Sequence, residues 1–206
     1  MVSIDQALER LREGNRGFRL GRVNPQASMQ YAERPDRTRR QDPFAVVIAC
    51  SDSRVPVELL FGQDIGGLFV IRVAGNIVAP TQLGSVELAL QELGTRLVVV
   101  LGHTNCAAVE ATLAAIRRPD DVPSPNVLQI IERIRPAVEA QLSTAGAPTI
   151  DEAKRRAVRA NIRAAVKSLQ EGSKLLRARA WTGELAIRGA EYSLETGIVE
   201  FLEDEE

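Results

Sequence analysis

Three short, largely apolar segments place the strongest constraint on how this 206-residue chain can fold. Their sequences are FAVVIA at 44–49, LFVIRV at 68–73 and LVVVL at 97–101. Runs of this length and composition are typical of strands that are buried on both faces of a sheet. Longer segments with helical periodicity separate them, and this alternation predicts an α/β fold. We therefore expect a central, mostly parallel β-sheet flanked by helices.

The remaining segments extend this prediction to the whole chain. A polar, Arg-rich stretch at 20–42 with Pro25 and Pro35 is predicted to be an extended arm, and Glu195-Thr196-Gly197 to be the turn of a C-terminal β-hairpin. We interpret 1–206 as one domain with an N-terminal helix and arm at 1–42, an α/β core at 43–117, and a helical and hairpin region at 118–206. The predicted helices are 3–14, 55–61, 82–93, 105–117, 126–142 and 150–179, a loop covers 120–126, and the hairpin strands are 184–188 and 197–202.

The overall charge and the scarce residue types narrow the range of functions. A formal net charge of −1 provides no global basic field for nucleic acid or an anionic membrane. No apolar run approaches the roughly 20 residues that span a bilayer, so we expect a cytoplasmic protein. The chain has two cysteines and one histidine. In a reducing compartment such cysteines are free thiols, redox groups or metal ligands rather than a structural disulfide.

All three of these residues lie in two clusters that directly follow predicted strands. The first cluster is C-S-D-S-R-V-P at 50–56, and the second is G-H-T-N-C at 102–106. In an open parallel sheet, functional residues gather in the crevice beyond the carboxyl ends of the strands. Cys50, His103 and Cys106 are therefore predicted to meet in one crevice.

A zinc ion suits this set of side chains. Zinc accepts both thiolate and imidazole, and three protein ligands leave a fourth, catalytic position for water. Two thiolates cancel the charge of the dication and make its water less acidic. Asp52 is placed to orient that water as hydroxide, and Arg54 to hold Asp52 ionised and away from the metal.

Taken singly, these residues also allow other interpretations. Strand-end cysteines are often inert and buried, and Asp52 with Arg54 can form a surface ion pair of little energetic worth. A loop that runs from cysteine to arginine can also cradle phosphate in a thiol phosphatase. Here the loop has three intervening residues where that chemistry uses five, and it contains no glycine. The joint occurrence of both clusters favours the metal site.

The combined motifs C-x-D-x-R-V-P and G-H-x-x-C closely resemble the β-class carbonic anhydrases. The resemblance extends from about Leu8 to the C-terminal hairpin and includes LFVIRVAGNIV at 68–78. It implies reversible hydration of carbon dioxide to bicarbonate by zinc-bound hydroxide, with one Zn²⁺ per subunit. Cys50, His103 and Cys106 would be the zinc ligands, and Asp52 and Arg54 the catalytic pair.

The same resemblance implies further site residues and an oligomer. Gln41 occupies the place of a substrate-binding glutamine, and Phe69 that of an apolar wall residue. Leu88 stands where the family often has tyrosine. The family's obligate unit is a dimer with active sites at the interface, which would explain the arm as a clasp, and two dimers can pair into a tetramer.

Two alternative functions remain open from the sequence. The more apolar residue at Leu88 would suit hydrolysis of carbonyl sulfide or carbon disulfide on the same scaffold. A non-catalytic, zinc-stabilised assembly subunit is the second alternative. The presence of Asp52 and Arg54 argues against it, since a structural zinc site has no use for an orienting carboxylate.

Overall fold

The computed structural model describes residues 2–23, 41–119, 121, 124–144 and 149–203. A short 3-10 helix at Ala74–Asn76 follows the second strand. The five strands are β1 (Ala45–Ala49), β2 (Leu68–Arg72), β3 (Leu97–His103), β4 (Ala186–Tyr192) and β5 (Val199–Phe201). The α-helices in these ranges are α1 (Ile4–Arg19), α2 (Val57–Leu60), α3 (Pro80–Glu92), α4 (Ala107–Arg117), α5 (Pro125–Thr144), α6 (Ile150–Gly172) and α7 (Lys174–Trp181).

The strands form one sheet in the order β2-β1-β3-β4-β5. Strand β1 pairs in parallel with both β2 and β3, and β3 pairs in parallel with β4. The last pair, β4 with β5, is antiparallel. This arrangement confirms the predicted α/β fold with a C-terminal hairpin, and it puts the carboxyl ends of β1 and β3 side by side.

Both faces of the sheet are buried, which explains why β1 and β3 are continuously apolar. Val46 and Ile48 of β1 pack into the hydrophobic core on one face, and Val47 and Ala49 pack into the core on the other. Every residue of β1 and of β3 is buried. Helix α6 covers the first face, while α1 and α2 cover the second.

Several predicted boundaries were wrong, and tertiary contacts give the reasons. Helix α1 continues through Gly14 to Arg19 instead of ending at Gly14. The predicted helix 150–179 is two helices, because Ser173 is extended and its hydroxyl accepts a hydrogen bond from Leu176 N as the N-cap of α7. Strand β4 extends to Tyr192, four residues beyond the predicted end. Most of the predicted arm at 20–42 lies outside the described residues.

The backbone at Phe61 lies so close to α1 that position 14 has no room for a side chain. This close approach, and not the end of a helix, explains Gly14. A Cβ atom built on Gly14 would lie 1.7 Å from the carbonyl oxygen of Phe61, whereas one built on Gly17 meets nothing within 4 Å. Both glycines lie in α1. The sequence cannot distinguish them, since the reason lies 47 residues further along the chain.

We expect the two alanine substitutions in α1 to have opposite effects on stability. Gly14→Ala should lower the free energy of unfolding by about 1–3 kcal/mol, because the methyl group would overlap the backbone at Phe61. Gly17→Ala should raise it by about 0.5–1 kcal/mol through the better helix propensity of alanine. Urea denaturation of both variants measures the difference. Equal effects would contradict the close approach of α1 to Phe61.

None of the helices in the described ranges is long and apolar enough to cross a membrane.

Candidate metal centre

Cys50, His103 and Cys106 meet at the carboxyl edge of the sheet. Cys50 directly follows β1, His103 is the last residue of β3, and Cys106 is the N-cap residue of α4. Their ligand atoms all lie within 4.8 Å of one another. The three residues are no more than 5% exposed, so the cluster is shielded from water on most sides. The pairing of two neighbouring strands thus brings Cys50 to two residues that lie 53 and 56 positions further along the chain.

The imidazole of His103 is oriented for a ligand on its Nε2 atom. Its Nδ1 lies 2.9 Å from the carbonyl oxygen of Thr104, a contact that requires Nδ1 to donate and so to carry the proton. Nε2 is then an acceptor, and it is buried without a hydrogen-bond partner in the described structure. A buried nitrogen lone pair without a partner is costly, and a metal ion would satisfy it.

The two thiols are close enough to act as a pair. Their Sγ atoms are 3.9 Å apart, and the backbone N–H of Gly75 donates to Cys50 Sγ at 3.4 Å. The hydrogen bond with Cys106, helped by the one from the Gly75 N–H, lowers the pKa of Cys50. The same contact with Cys50, together with burial, raises the pKa of Cys106. One thiolate is therefore favoured at neutral pH, and a bound cation would deprotonate the second thiol.

The geometry fits a tetrahedral zinc ion. Two sulfurs at about 2.3 Å from one tetrahedral zinc lie roughly 3.8 Å apart. The observed Sγ–Sγ separation is 3.9 Å, and the orphaned Nε2 of His103 completes a set of three ligand atoms. A Cys-His-Cys cluster able to hold a metal ion is thus present, and two thiolates with one imidazole match the preferences of zinc.

Asp52 and Arg54 form a bidentate ion pair beside the cluster. Arg54 Nη2 and Nε donate to the Asp52 carboxylate at 2.7 and 3.0 Å, and Arg54 N also donates to it at 2.9 Å. The Asp52 side chain is only 14% exposed, and its Oδ2 lies 3.9 Å from His103 Nε2. Its pKa is held well below the usual range, chiefly by the hydrogen bond from the Arg54 side chain. Asp52 is therefore ionised, next to the cluster and turned toward Arg54.

The structure also shows residues that the sequence did not single out. Arg72, at the end of β2, donates from Nε to the carbonyl oxygen of Cys50 at 3.2 Å and from Nη2 to that of Asp52 at 2.6 Å. It therefore fixes the backbone on either side of Ser51. The only signal in the sequence was a charged residue inside an otherwise apolar strand, LFVIRV.

The other three predicted site residues do not join the cluster within one chain. Gln41 precedes β1 and Cys50 follows it, so the five residues of β1, a length of about 17 Å, separate them. Phe69 pairs with Val46, four residues before Cys50. Leu88 is 55% exposed on α3. Their predicted contact with substrate stays a prediction.

Comparisons with known proteins give the family. A sequence model described as "Carbonic anhydrase" matches residues 45–199. Carbonic anhydrase 2 of Mycobacterium tuberculosis is 38% identical over 192 residues, which are 93% of this chain and 89% of that protein. The chain belongs to the carbonic anhydrase family, in its β class.

Solved structures agree with this assignment. A β-carbonic anhydrase of Coccomyxa, solved in complex with acetazolamide, superposes with a TM-score of 0.74 at 26% identity and covers 86% of this chain and 81% of that one. A tetrameric β-carbonic anhydrase of Sordaria macrospora has a TM-score of 0.75 at 23% identity over 89% of this chain and 94% of that one. The second likeness shows the fold alone.

Proposed function

We propose that this chain is a zinc-dependent carbonic anhydrase that reversibly hydrates carbon dioxide to bicarbonate and a proton. The observation that carries the proposal is the buried Cys50, His103 and Cys106 cluster with an ionised Asp52 at its edge. Family membership supports the same reaction. Neither carbonyl sulfide hydrolysis nor a purely structural role is favoured by a feature of the site.

Cys50, His103 and Cys106 would hold one Zn²⁺ per subunit. The ion, when bound, would acidify a water molecule and so supply a hydroxide nucleophile near neutral pH. The chain's own contribution is a rigid and mostly dry cage, since Cys50 directly follows β1, His103 ends β3 and Cys106 is the N-cap residue of α4. The Nδ1–H of His103 is fixed on Thr104, which keeps Nε2 aimed inward.

Asp52 would orient the reacting water, and Arg54 would keep Asp52 available for that task. An ionised carboxylate accepts hydrogen bonds only, so it fixes the proton of the attacking group on its own side and leaves a lone pair toward substrate. Arg54 occupies both carboxylate oxygens and turns them from the cluster. Its Nη2 also donates to the carbonyl oxygen of Asn105 at 3.3 Å, which ties the pair to the second motif.

A homodimer would explain the residues that lie far from the cluster within one chain. Gln41, Phe69 and Leu88 of one subunit would face the cluster of the other, as the family resemblance implies. The exposure of Leu88 in a single chain supports a contact of this kind. Light scattering would distinguish this dimer from a tetramer built of two such dimers. We also propose a cytoplasmic location, because two ligand thiols need reducing surroundings.

Metal analysis combined with a stopped-flow assay tests the proposed function. Purified protein should contain one zinc per subunit and should accelerate carbon dioxide hydration, while carbonyl sulfide offered in parallel should not be turned over. Removal of zinc by a chelator should abolish the activity, and added zinc should restore it. Protein without stoichiometric metal, or zinc-loaded protein without hydration activity, would contradict the proposal.

Turnover should depend strongly on the concentration of buffer. His103 is the only histidine of the chain, and as a metal ligand it cannot also carry protons to solvent. Proton release would then rely on buffer molecules or on carriers other than histidine. Initial rates measured over a series of buffer concentrations, at fixed pH and ionic strength, should rise toward a plateau. Rates that stay constant over the series would contradict this prediction.

A further inference from the structure

A buried asparagine on α6 contacts the backbone next to the metal centre. Asn161 is 3% exposed, and its Nδ2 donates to the carbonyl oxygen of Gly75 at 2.8 Å. Gly75 is the residue whose N–H donates to Cys50 Sγ. Asn161 therefore contacts the residue that is hydrogen-bonded to the Cys50 sulfur, although α6 supplies none of the three ligands.

The turn that contains Gly75 needs an external support to hold its shape. Gly75 has φ 71° and ψ 18°, and Asn76 has φ 45°, so two successive residues are in the left-handed region. Asparagine adopts this region more readily than most residues with a side chain, so Asn76 reduces the cost of the turn but does not remove it. A Cβ atom at Gly75 would lie 2.8 Å from Ile134 Cδ1, so the turn is also tightly packed. The hydrogen bond from Asn161 holds this turn.

The neighbouring Ile162 fixes how deep α6 lies against the sheet. Cβ atoms built on Gly102 and Gly189 would lie 2.5 and 2.8 Å from the Ile162 side chain, so these two glycines form a notch that receives it. Gly102 belongs to β3 and Gly189 to β4. Because Ile162 is seated in the notch, Asn161 is held at a defined distance from Gly75.

We infer that Asn161 is a positioning residue for the metal centre: it holds the Gly75 turn so that the Gly75 N–H remains directed at the Cys50 sulfur. A hydrogen bond to a ligand thiolate spreads its charge and restricts its orientation, and both effects tune metal binding. The inference rests on the proposed function, because it assumes that Cys50 is a zinc ligand.

Zinc affinity and a cobalt spectrum test the inference in the intact protein. Asn161→Leu removes the donor at similar size, and Asn161→Asp replaces it with a carboxylate of the same shape. Both variants should release zinc to a chromophoric chelator on the order of 10-fold more readily than the wild type. In the Co²⁺-substituted variants, the sulfur-to-cobalt charge-transfer band should shift in energy, since the hydrogen bond to one sulfur is weakened.

Asn15 offers a matched control in the same chain. It is also a buried asparagine, 5% exposed, and its Nδ2 donates to the carbonyl oxygens of Leu60 and Gly197 at 3.2 and 3.0 Å. Asn15→Leu should lower the midpoint of thermal unfolding but leave zinc affinity and the cobalt band unchanged. A loss of general stability therefore cannot imitate the expected result.

The outcomes separate this inference from the proposed function. Wild-type protein without stoichiometric zinc would overturn both. Zinc-loaded wild type together with Asn161 variants of unchanged affinity and unchanged cobalt spectrum would overturn the inference alone. If Asn161→Leu does not fold, Asn161→Ser provides the same comparison, because its shorter side chain leaves Gly75 without the donor and adds no bulk.

Discussion

Cys50→Ser protein is expected to contain no zinc and to show no hydration of carbon dioxide above the uncatalysed rate. A serine hydroxyl does not ionise near neutral pH and is a poor ligand for zinc beside a thiolate and an imidazole. Only two ligand atoms of the cluster would remain, Cys106 Sγ and His103 Nε2. The Gly75 N–H would also lose its sulfur acceptor. Metal content after purification and a stopped-flow assay measure both losses, and Cys106→Ser should behave alike.

The same substitution should also lower stability, so a control for burial is needed. A hydroxyl buried without a partner costs about 1–3 kcal/mol, and loss of the metal removes its binding free energy from folding. Val99→Thr introduces a hydroxyl at a residue of β3 that is fully buried on the opposite face of the sheet. That variant should lose stability but retain zinc and activity. Full zinc occupancy in Cys50→Ser would exclude Cys50 as a ligand.

The metal centre was largely predictable because its ligands are encoded next to strand ends. The apolar runs that form β1 and β3 are continuous, and Cys50 and Cys106 lie within three residues of their carboxyl ends. Once the sheet is known to be parallel, these positions must meet at one edge. Asp52 and Arg54 belong to the same short loop, so their pairing is also a local property.

The residues that support this centre were not predictable in the same way. Asn161 contacts Gly75 across 86 positions of the sequence. Nothing in the sequence around a polar helical residue indicates which distant backbone group it will bind. Gly14 was interpreted as the end of a helix, because its true reason, the carbonyl of Phe61, belongs to another element. Hydrophobic patterns specify which faces are buried, whereas the polar contacts between elements depend on their final placement.

A different limit of sequence-based prediction applies to Gln41, Phe69 and Leu88. Resemblance alone assigned them to the site, and within one chain they lie away from Cys50. The role proposed for them would involve a second subunit, and neither hydrophobic periodicity nor the parallel topology specifies such a contact. A variant such as Gln41→Ala, mixed with a zinc-deficient subunit, addresses that role directly.

Asp52→Asn is expected to keep zinc but lose hydration activity by about 10²-fold or more. The amide has the shape of the carboxylate but no negative charge, and one of its two polar ends is a donor, so it no longer accepts at both positions. The hydrogen bonds that Cys50 and His103 make with Gly75 and Thr104 do not involve the Asp52 carboxylate. Metal analysis and stopped-flow kinetics on the same preparation separate retention of zinc from loss of turnover.

Arg54→Gln tests the other half of the pair, and Asp64→Asn controls for the loss of a carboxylate. Without Arg54, Asp52 is free to turn toward the cluster, since its Oδ2 is already 3.9 Å from His103 Nε2. We therefore expect Arg54→Gln to be as inactive as Asp52→Asn, because the carboxylate would compete for the open position. The double variant should then be no worse than either single one. Asp64 is an exposed loop residue, and its replacement should leave activity unchanged.

Two outcomes would contradict these predictions. Full activity in Asp52→Asn would show that Asp52 takes no part in the reaction. Additive losses in the double variant would show that Arg54 acts independently of Asp52.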